Sequence, residues 1–490
     1  MDNALRVFNE VTRRGARGST EMVLPIESGE IPRDISGVLY RNGPGRMAVH
    51  GVVYDHLFDG DGFLQRLSFD AGTVKYRSRY VETEQFQKEQ AAGRMRYRAF
   101  GTNLPGGIPA NVFRFNFKNA ANTSILQAGD DLLALWEGGR PHVIDPETLA
   151  CLGPWDGHGA LAPTTVVHRM MKNGRPFAAH PRIMADGRRV LSFGLSPGMK
   201  QSLILYRLDR QTGQLSSTEH SLPRLTFMHD YVATDDETRI FIDPGVAFHL
   251  GQSLLGLVPP AASIHGDDEA PSLVRVFDAD DRQQVYEGGD GYVFHYPNGY
   301  RDGDRLILDA CRMDRFPDAE VFKALMNNED PPYPILPYPE RMTLNTRTGT
   351  LQSSRLSDYV LELPTINPAR SGTRHRYVYG ISDPPDRSSA AGMHGIAKID
   401  TEKPETTYVD LFPCLVGEPL FIPAGGRQQR GAEADAADED DGYLASIVFD
   451  PREPCSLLII LDAGSMTEVA RLRLPEPVHV GFHGRWIDGS

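Results

Sequence analysis

The protein has 490 residues, of which 24% are charged and 40% are hydrophobic, and its formal net charge is −14 at pH 7. This is the composition of an ordinary folded protein, and the acidic balance argues against broad nucleic-acid binding, because phosphate recognition needs a basic surface. Four widely spaced cysteines argue against a zinc ribbon or a disulfide framework. The sequence has no apolar run long enough for a signal peptide or a membrane span, so we expect a cytoplasmic protein that contacts membranes at their surface or not at all.

The elements predicted along the chain are mostly short strands. Glycine and proline (48 and 36 residues) separate β-branched and aromatic runs, and this pattern predicts strands joined by tight turns, as at 189–195 and 305–311. Helical periodicity favours two segments, 84–95 and 319–327. The polar, acidic stretch 425–442 predicts a solvated loop.

A weak repeat organises these strands. One strand ends in an apolar residue followed by Asp or Asn, whose side chain can satisfy N–H groups of the turn before the next strand begins. The turns are 55 to 75 residues apart, a spacing typical of β-propeller blades that carry insertions. We therefore predict that residues 1–490 form one all-β domain, a seven-bladed β-propeller whose long loops gather on one face as a cap over a central axial site. The seven turn positions are Asp70, Asp145, Asp209, Asp278, Asn345, Asp400 and Asp462.

Seven of the fifteen histidines lie in apolar or aromatic sequence, which indicates buried imidazoles. A buried imidazole needs hydrogen-bond partners or a metal ion. Most buried histidines are ordinary core residues, and the local sequence does not choose among these seven. They are His180, His229, His249, His295, His394, His479 and His483.

The last two histidines stand four residues apart in EPVHVGFHGRWIDGS (476–490). A helix would bring His479 and His483 together on one metal ion, but Pro477, the glycines and the β-branched and aromatic neighbours favour a strand. Four residues of strand span about 13 Å, whereas metal–nitrogen bonds are about 2 Å long. We therefore predict that at most one of the two binds a given metal, and that the last blade supplies it.

Ten sequence segments along the chain point to the same protein family. They include HLFDGDGFLQRLSF, LLALWEGGRPHVIDPETL, FMHDYVAT, YVFHYPNGY and VGFHGRW, and their positions are 29–47, 56–69, 116–126, 132–149, 178–183, 227–234, 292–300, 362–368, 417–423 and 480–486. In this order they resemble the carotenoid cleavage oxygenase family over nearly the whole chain, and are closest to its apocarotenoid oxygenase branch. The resemblance implies an all-β, seven-bladed propeller with a dome of loops and helices over an axial metal site. It also implies that four histidines hold Fe(II) on this axis and that dioxygen is the co-substrate.

The resemblance also implies the residues of the metal site. Imidazole is a suitable Fe(II) ligand, and three glutamates would each accept a hydrogen bond from the outer nitrogen of a ligand histidine and so fix its tautomer. The implied ligands are His180, His229, His295 and His483. The implied glutamates are Glu137, Glu362 and Glu418. His249, His394 and His479 lie outside the family's motifs.

The reaction implied by the resemblance is oxidative cleavage of a conjugated C=C double bond to two carbonyl products. Stilbene-cleaving relatives place a lysine before the first glutamate and a tyrosine upstream, whereas this chain has Trp136 and Phe100 at those points. We therefore expect a carotenoid or apocarotenoid substrate, with a stilbene- or phenylpropenoid-cleaving dioxygenase as the alternative. Thr123 matches a residue that leans over one open coordination position in relatives. Thr123, Trp136, Phe100 and Phe227 form the expected pocket for substrate and dioxygen.

A polyene is insoluble in water and has to come from a membrane or a carrier. Segment 104–119 resembles the part of the family that carries an exposed apolar entrance patch. Its apolar residues would enter a bilayer surface while its two cations meet headgroups; alternatively, the same residues pack in the core. The residues concerned are Ile108, Val112, Phe113 and Phe115, with the cations Arg114 and Lys118.

Overall fold

The computed structural model describes residues 3–198, 200–267, 269–387, 393–425 and 439–489. Within these ranges, seven antiparallel sheets of at least four strands follow one another as the blades of a β-propeller. The predicted fold class is therefore confirmed. Most of the predicted acidic loop 425–442 lies outside the described residues.

We number the blades 1 to 7 and give their strands in pairing order. Blade 1 contains Gly484–Asp488, Gly37–Arg41, Phe63–Asp70, Thr73–Tyr80 and Thr20–Val23; blade 2 contains Ser124–Ala128, Asp131–Leu135, His142–Ile144 and Cys151–Pro154; blade 3 contains Arg182–Ile183, Arg189–Ser196, Ser202–Asp209 and Leu215–Ser221. Blade 4 contains Val232–Ala233, Arg239–Asp243, Leu273–Phe277 and Gln283–Glu287; blade 5 contains Tyr292–Val293, Arg305–Met313 (also paired with Gly299–Asp302), Tyr338–Asn345 and Leu351–Arg355. Blade 6 contains Val360–Thr365, Tyr377–Asp383, Gly395–Asp400 and Glu405–Asp410; blade 7 contains Leu415–Val416, Gly442–Asp450 (also paired with Leu420–Pro423), Cys455–Asp462, Glu468–Arg473 and Ile26–Gly29.

The predicted Asp and Asn turns mark the blades. Each of the seven joins the third and fourth strands of one blade. In six of them, all but Asp70, the side-chain oxygen accepts N–H groups of the turn. In blade 3, for example, Asp209 Oδ1 accepts from the N–H groups of Gln211 and Thr212, both at 3.0 Å. The turn chemistry read from the sequence therefore operates in the folded protein.

Both chain ends close the ring of blades. The second strand of the chain, Ile26–Gly29, pairs with Glu468–Arg473 in blade 7, and the C-terminal strand Gly484–Asp488 pairs with Gly37–Arg41 in blade 1. Leu39 and Leu67 of blade 1 are buried in one apolar cluster with Leu458 of blade 7. Segments near the two ends of the sequence are thus fixed next to each other, which places His483 at the axis.

Six helices are inserted among the blades in the described residues: α1 (Asn3–Arg14), α2 (Glu84–Ala92), α3 (Ile108–Asn111), α4 (Val166–Met171), α5 (Leu250–Leu254) and α6 (Ala319–Met326). The two predicted helices are confirmed as α2 and α6, whereas α1 was not predicted. Helix α2 begins where the Thr83 hydroxyl accepts the N–H of Phe86 and ends at Gly93 in the left-handed conformation.

Two short strand pairs (Ala48–Val49 with Val52–Val53, and Val246–Phe248 with Ile264–Gly266) and three 3₁₀ turns (Leu57–Asp59, Ala261–Ser263 and Pro368–Arg370) accompany the helices. Residues of α1, α4, α5 and α6 line one cavity together with the axial histidines, and these helices form the predicted dome. Within the described residues, we find no helix with the length and apolar character that a membrane crossing requires.

Candidate metal centre and its cavity

The structure brings four histidines together at the axis. Each lies within three residues of the first strand of its blade, and these strands converge on the central channel of a propeller. The Nε2 atoms of His180 and His229 are 2.9 Å apart. One ring nitrogen each of His180, His295 and His483 lie within 4.8 Å of one another. The ring centroids of the cluster are 4.5 to 5.3 Å apart for the closest pairs.

Three carboxylates hold three of these rings from outside. Glu137 accepts a hydrogen bond from Nδ1 of His229 at 2.8 Å, and Glu362 accepts from Nδ1 of His295 at 2.5 Å. The third pair is Glu418 with Nδ1 of His483 at 2.8 Å. Because each Nδ1 carries the donated proton, each Nε2 is left with a free lone pair for the centre of the cluster.

The glutamates are themselves fixed. The second oxygen of Glu418 accepts the N–H of Gly484 at 2.8 Å and lies 3.9 Å from the buried guanidinium of Arg41. In contrast, a single oxygen of Glu362 accepts both from His295 and from the N–H of Leu363 at 2.7 Å. The other oxygen of Glu362 is buried and has no hydrogen-bond partner among the described residues.

The electrostatics of the cluster follow from burial and from these pairs. Burial lowers the pKa of His180 well below its ordinary value, and the three neighbouring imidazoles lower it further. Burial also lowers the pKa of His483. Burial alone would lower the pKa of His295, but the Glu362 carboxylate raises it above the ordinary value. Burial would likewise raise the pKa of Glu362, but His295 holds it below the usual range. The partners therefore keep Glu362 ionised.

The donor set fits a transition metal. Nε2 of His295 is buried without a hydrogen-bond partner among the described residues. The facing Nε2 atoms of His180 and His229 need a cation or a proton between them, because Nδ1 of His229 already carries its proton toward Glu137. Neutral imidazoles are ligands for divalent iron, zinc, copper and nickel rather than for calcium or magnesium.

A cavity of about 820 Å³ opens at the cluster, and its walls are mainly aromatic and aliphatic. The ring of Phe58 stacks parallel to His229 with centroids 6.2 Å apart, and Phe482 and Phe294 contact Phe58 edge-on. Phe58, Phe294 and Phe482 were not predicted as site residues. The sequence did contain a signal, because Phe58 lies in one of the ten segments and the other two directly precede His295 and His483.

All four residues of the predicted substrate and oxygen pocket line this cavity. Phe100 stacks on Phe227 with centroids 6.1 Å apart. The carbonyl of Thr123 accepts the N–H of His483 at 3.1 Å, and its hydroxyl donates to the side chain of Asn122. Trp136 directly precedes Glu137. The wall next to the histidines is therefore apolar where Phe100, Phe227 and Trp136 line it.

The prediction of a strand through the C-terminal histidine pair is wrong. Residues 474–483 form no strand, and His483 directly precedes Gly484–Asp488 of blade 1 rather than belonging to the last blade. The extended register that we assumed is broken by Gly481 at φ 85°. His479 Nδ1 accepts the N–H of Gly481, and its ring packs against Phe8 of α1.

Segment 104–119 is partly exposed and partly buried. Phe113 and Ile108 are 63% and 49% exposed, Arg114 is exposed, and Val112 and Phe115 are half-buried. Lys118 does not face solvent as expected for a headgroup contact: its side chain is 1% exposed and its ammonium lies 2.6 Å from Asp61 and 2.7 Å from Glu89. These carboxylates come from distant parts of the sequence, which local reading could not reveal.

Comparison with known proteins assigns nearly the whole chain to one protein family. The family model described as retinal pigment epithelial membrane protein matches residues 15–488. The chain is 31% identical to an apocarotenoid-15,15'-oxygenase of Synechocystis over 94% of this chain and 91% of the relative. It is 26% identical to a carotenoid 9,10(9',10')-cleavage dioxygenase of Arabidopsis thaliana over 95% of this chain and 86% of the relative.

Two further comparisons bear on the site. An isoeugenol monooxygenase of Pseudomonas putida is 27% identical, over 94% of this chain and 93% of the relative. The crystal structure of the cobalt-substituted Synechocystis apocarotenoid oxygenase superposes with a TM-score of 0.89 at 29% identity, covering 99% of this chain and 98% of that chain. The similarity to these proteins therefore extends over the complete ring of blades.

Proposed function

The chain belongs to the retinal pigment epithelial membrane protein and carotenoid oxygenase family, and on this premise we propose that it is a non-haem Fe(II) dioxygenase that cleaves a conjugated C=C double bond of a carotenoid or apocarotenoid to two carbonyl products. One observation carries the proposal: four imidazoles converge at an apolar cavity whose volume lies at the upper end of the range for small-molecule sites. Residues 1–490 would act as one unit, since both chain ends complete the ring of blades.

The proposed iron ligands are His180, His229, His295 and His483, each through Nε2. Fe(II) bound there would supply the activation of dioxygen. Glu137, Glu362 and Glu418 hold the Nδ1 protons of three ligands, which orients the rings and increases their basicity. The backbone carbonyl of Thr123 holds the His483 segment in place.

The chain's own contribution to the reaction is binding, orientation and exclusion of water. Phe58, Phe100, Phe227, Phe294 and Phe482 form flat apolar walls near the histidines, and such walls suit a rigid polyene. Cleavage by dioxygen needs no acid or base from the protein, and a dry cavity protects reactive species from side reactions.

A phenylpropenoid-cleaving oxygenase is the second candidate, and the relative named isoeugenol monooxygenase favours it. A phenol would require a polar partner in the cavity. Trp136 and Phe100 stand where stilbene-cleaving relatives carry a lysine and a tyrosine, so the phenolic hydroxyl would meet neither an ammonium nor a phenol there, and Trp136 could offer only a neutral indole N–H. The carotenoid or apocarotenoid substrate therefore remains the better proposal.

We propose that this protein is cytoplasmic and that its substrate enters where the protein makes a peripheral contact with a membrane. Exposed apolar side chains cluster where segment 104–119 meets α5, joined by a hydrogen bond from the N–H of Phe113 to the carbonyl of Leu254 at 2.8 Å. Ile108, Phe113, Leu250 and Leu254 are all exposed, and Phe113, Leu250 and Leu254 also line the cavity. An apolar patch continuous with the cavity would let a polyene pass directly from lipid into the site.

The experiment is aerobic incubation of Fe(II)-loaded protein with carotenoids, apocarotenals, stilbenes and isoeugenol, with products identified by mass. We expect two carbonyl fragments from at least one carotenoid or apocarotenal. Selective turnover of stilbenes or isoeugenol would favour the second candidate, and consumption of none of these substrates would contradict the cleavage proposal.

A further inference from the structure

One part of the cavity wall is formed by α1 and by the segment that precedes His483, and we call this part the second end. The exposed patch is formed by other residues, where segment 104–119 meets α5. At the second end the cavity is lined by Leu5 and Phe8 of α1, by His479 and by Val480.

The protonation of His479 follows from its contacts. Nδ1 accepts the N–H of Gly481 at 3.1 Å, so Nδ1 carries a lone pair and the ring proton resides on Nε2. Burial, with a smaller effect of Arg41, lowers the pKa of His479 to about 3, so the ring is neutral at physiological pH. His479 at this end is therefore a neutral imidazole that can donate one N–H.

That N–H has no acceptor among the described residues. Nε2 of His479 is buried, and its two neighbouring rings are the apolar Phe8 at 4.9 Å and Phe482 at 5.9 Å between centroids. Buried donors are almost always paired, because an unpaired one loses its hydrogen bond to water without replacement. An unpaired donor on the wall of a ligand cavity indicates a ligand acceptor.

Part of this wall lies outside the region that matches the family model. Phe8 belongs to α1, and the match begins at residue 15. Helix α1 is held in place by the Asn9 side chain, which donates to the carbonyl of Leu325 at 2.8 Å, and by Phe8, whose ring contacts Phe449 at 5.2 Å. The second end is therefore an ordered wall formed by packed residues of this chain.

We propose that the cavity end formed by α1 and His479 is a subsite for an oxygen-bearing end group of the polyene, a carbonyl or a hydroxyl, and that Nε2–H of His479 donates a hydrogen bond to this oxygen. The proposal rests on the proposed function. A neutral donor in apolar surroundings selects a neutral acceptor, because a charged end group would lose its hydration without a counter-ion.

The position of His479 also bounds where the substrate is cut. His479 is four residues from His483, and four residues reach at most about 14 Å between Cα atoms. The oxygen would therefore sit on a short fragment on one side of the cleaved bond. His479 acts here as a specificity-determining residue and not as a metal ligand.

The test compares two polyenes of equal carbon skeleton, an apocarotenal and the corresponding hydrocarbon. Anaerobic binding is measured by quenching of tryptophan fluorescence, since Trp136 lines the cavity. We expect wild-type protein to bind the aldehyde about tenfold more tightly, the effect of one buried hydrogen bond. His479→Phe should abolish this preference without changing the Kd of the hydrocarbon, and His479→Gln, which keeps an N–H donor, should restore part of it.

Several results would overturn the subsite. These are an equal preference in wild type and His479→Phe, no preference in wild type, or an equal loss of affinity for both ligands, which would indicate a packing role. Metal content and the urea midpoint of each variant control for folding. Aerobic turnover separates the two proposals. A His479-dependent binding preference without cleavage would contradict the proposed function and leave the subsite standing. Cleavage without the preference would contradict the subsite and leave the proposed function standing.

Discussion

Replacing the glutamates by glutamine should affect the metal centre unequally, and the geometry predicts the order. In Glu418 the two oxygens accept from different donors, Nδ1 of His483 and the N–H of Gly484. In Glu362 a single oxygen accepts from both Nδ1 of His295 and the N–H of Leu363, while the other has no partner among the described residues.

A glutamine amide has one accepting oxygen and one donating NH₂ group. At position 362 the oxygen can replace the oxygen that accepts both bonds, and the NH₂ group takes the unpartnered place. At position 418 either orientation points NH₂ at an N–H donor, so the hydrogen bond to His483 or to Gly484 is lost. The buried Arg41, 3.9 Å away, also loses its counter-charge.

The magnitudes follow from these contacts. Loss of a carboxylate that orients a ligand histidine lowers metal affinity about 10- to 100-fold, which is about 1.4 to 2.8 kcal/mol. Glu418→Gln should fall in this range and should also lower the free energy of unfolding of the metal-free protein by about 1 to 3 kcal/mol, because a buried donor is left unsatisfied. Glu362→Gln should lose less than about tenfold in affinity.

The assay is anaerobic Fe(II) titration against a competing chelator, together with urea unfolding of the metal-free proteins. Glu418→Gln should require the higher free Fe(II) concentration for half-saturation. An equal or larger loss of Fe(II) affinity in Glu362→Gln would show that the shared and the separate accepting oxygens do not set the order.

Three further predictions concern the dome and the cavity wall. Phe113→Ser should reduce co-sedimentation with phosphatidylcholine–phosphatidylglycerol vesicles at unchanged stability, because Phe113 is 63% exposed; unchanged vesicle binding would contradict the membrane contact. Lys118→Met should instead leave vesicle binding unchanged and lower the free energy of unfolding by about 3 kcal/mol, since Glu89 would remain as a buried carboxylate without its cation while Asp61 keeps only Arg46; reduced vesicle binding at unchanged stability would contradict this and support the headgroup contact. Burial raises the pKa of Asp59 to about 7, so between roughly pH 4 and pH 7 the Asp59 carboxyl is protonated in the folded state and ionised in the unfolded state. The free energy of unfolding should therefore fall by about 1.4 kcal/mol per pH unit over this range. Asp59→Asn should remove this decline in urea unfolding at pH 5 and pH 7, and an equal decline in both proteins would contradict it.

The fold could be predicted from the sequence where the information is local. The Asp and Asn turns were readable because in six of the seven the side chain satisfies N–H groups within its own turn, as Asp145 does for Glu147 and Thr148. Helices α2 and α6 were readable because their helical periodicity is also a local pattern of the sequence. Helix α1 was missed although it carries a strong apolar face, because that face is paired with residues hundreds of positions away, such as Phe449.

The candidate site divides in the same way. The motif resemblance assigned the residues around the cluster, but neither spacing nor composition could bring His180 and His483 together, since the ring must close first. Lys118 was misread because its partners Asp61 and Glu89 are distant in sequence. The strand through His483 was misread because Gly481 turns the chain and the following strand joins blade 1.

The proposal that four imidazoles at the axis hold one metal ion can be tested by metal binding. Its most direct test is anaerobic Fe(II) loading of wild type, His483→Ala and His479→Ala, followed by gel filtration and metal analysis. Wild type and His479→Ala should retain about one iron per chain, and His483→Ala should lose iron with its fold intact by circular dichroism. Equal iron content in the two variants, whether both retain it or both lose it, would contradict the assignment.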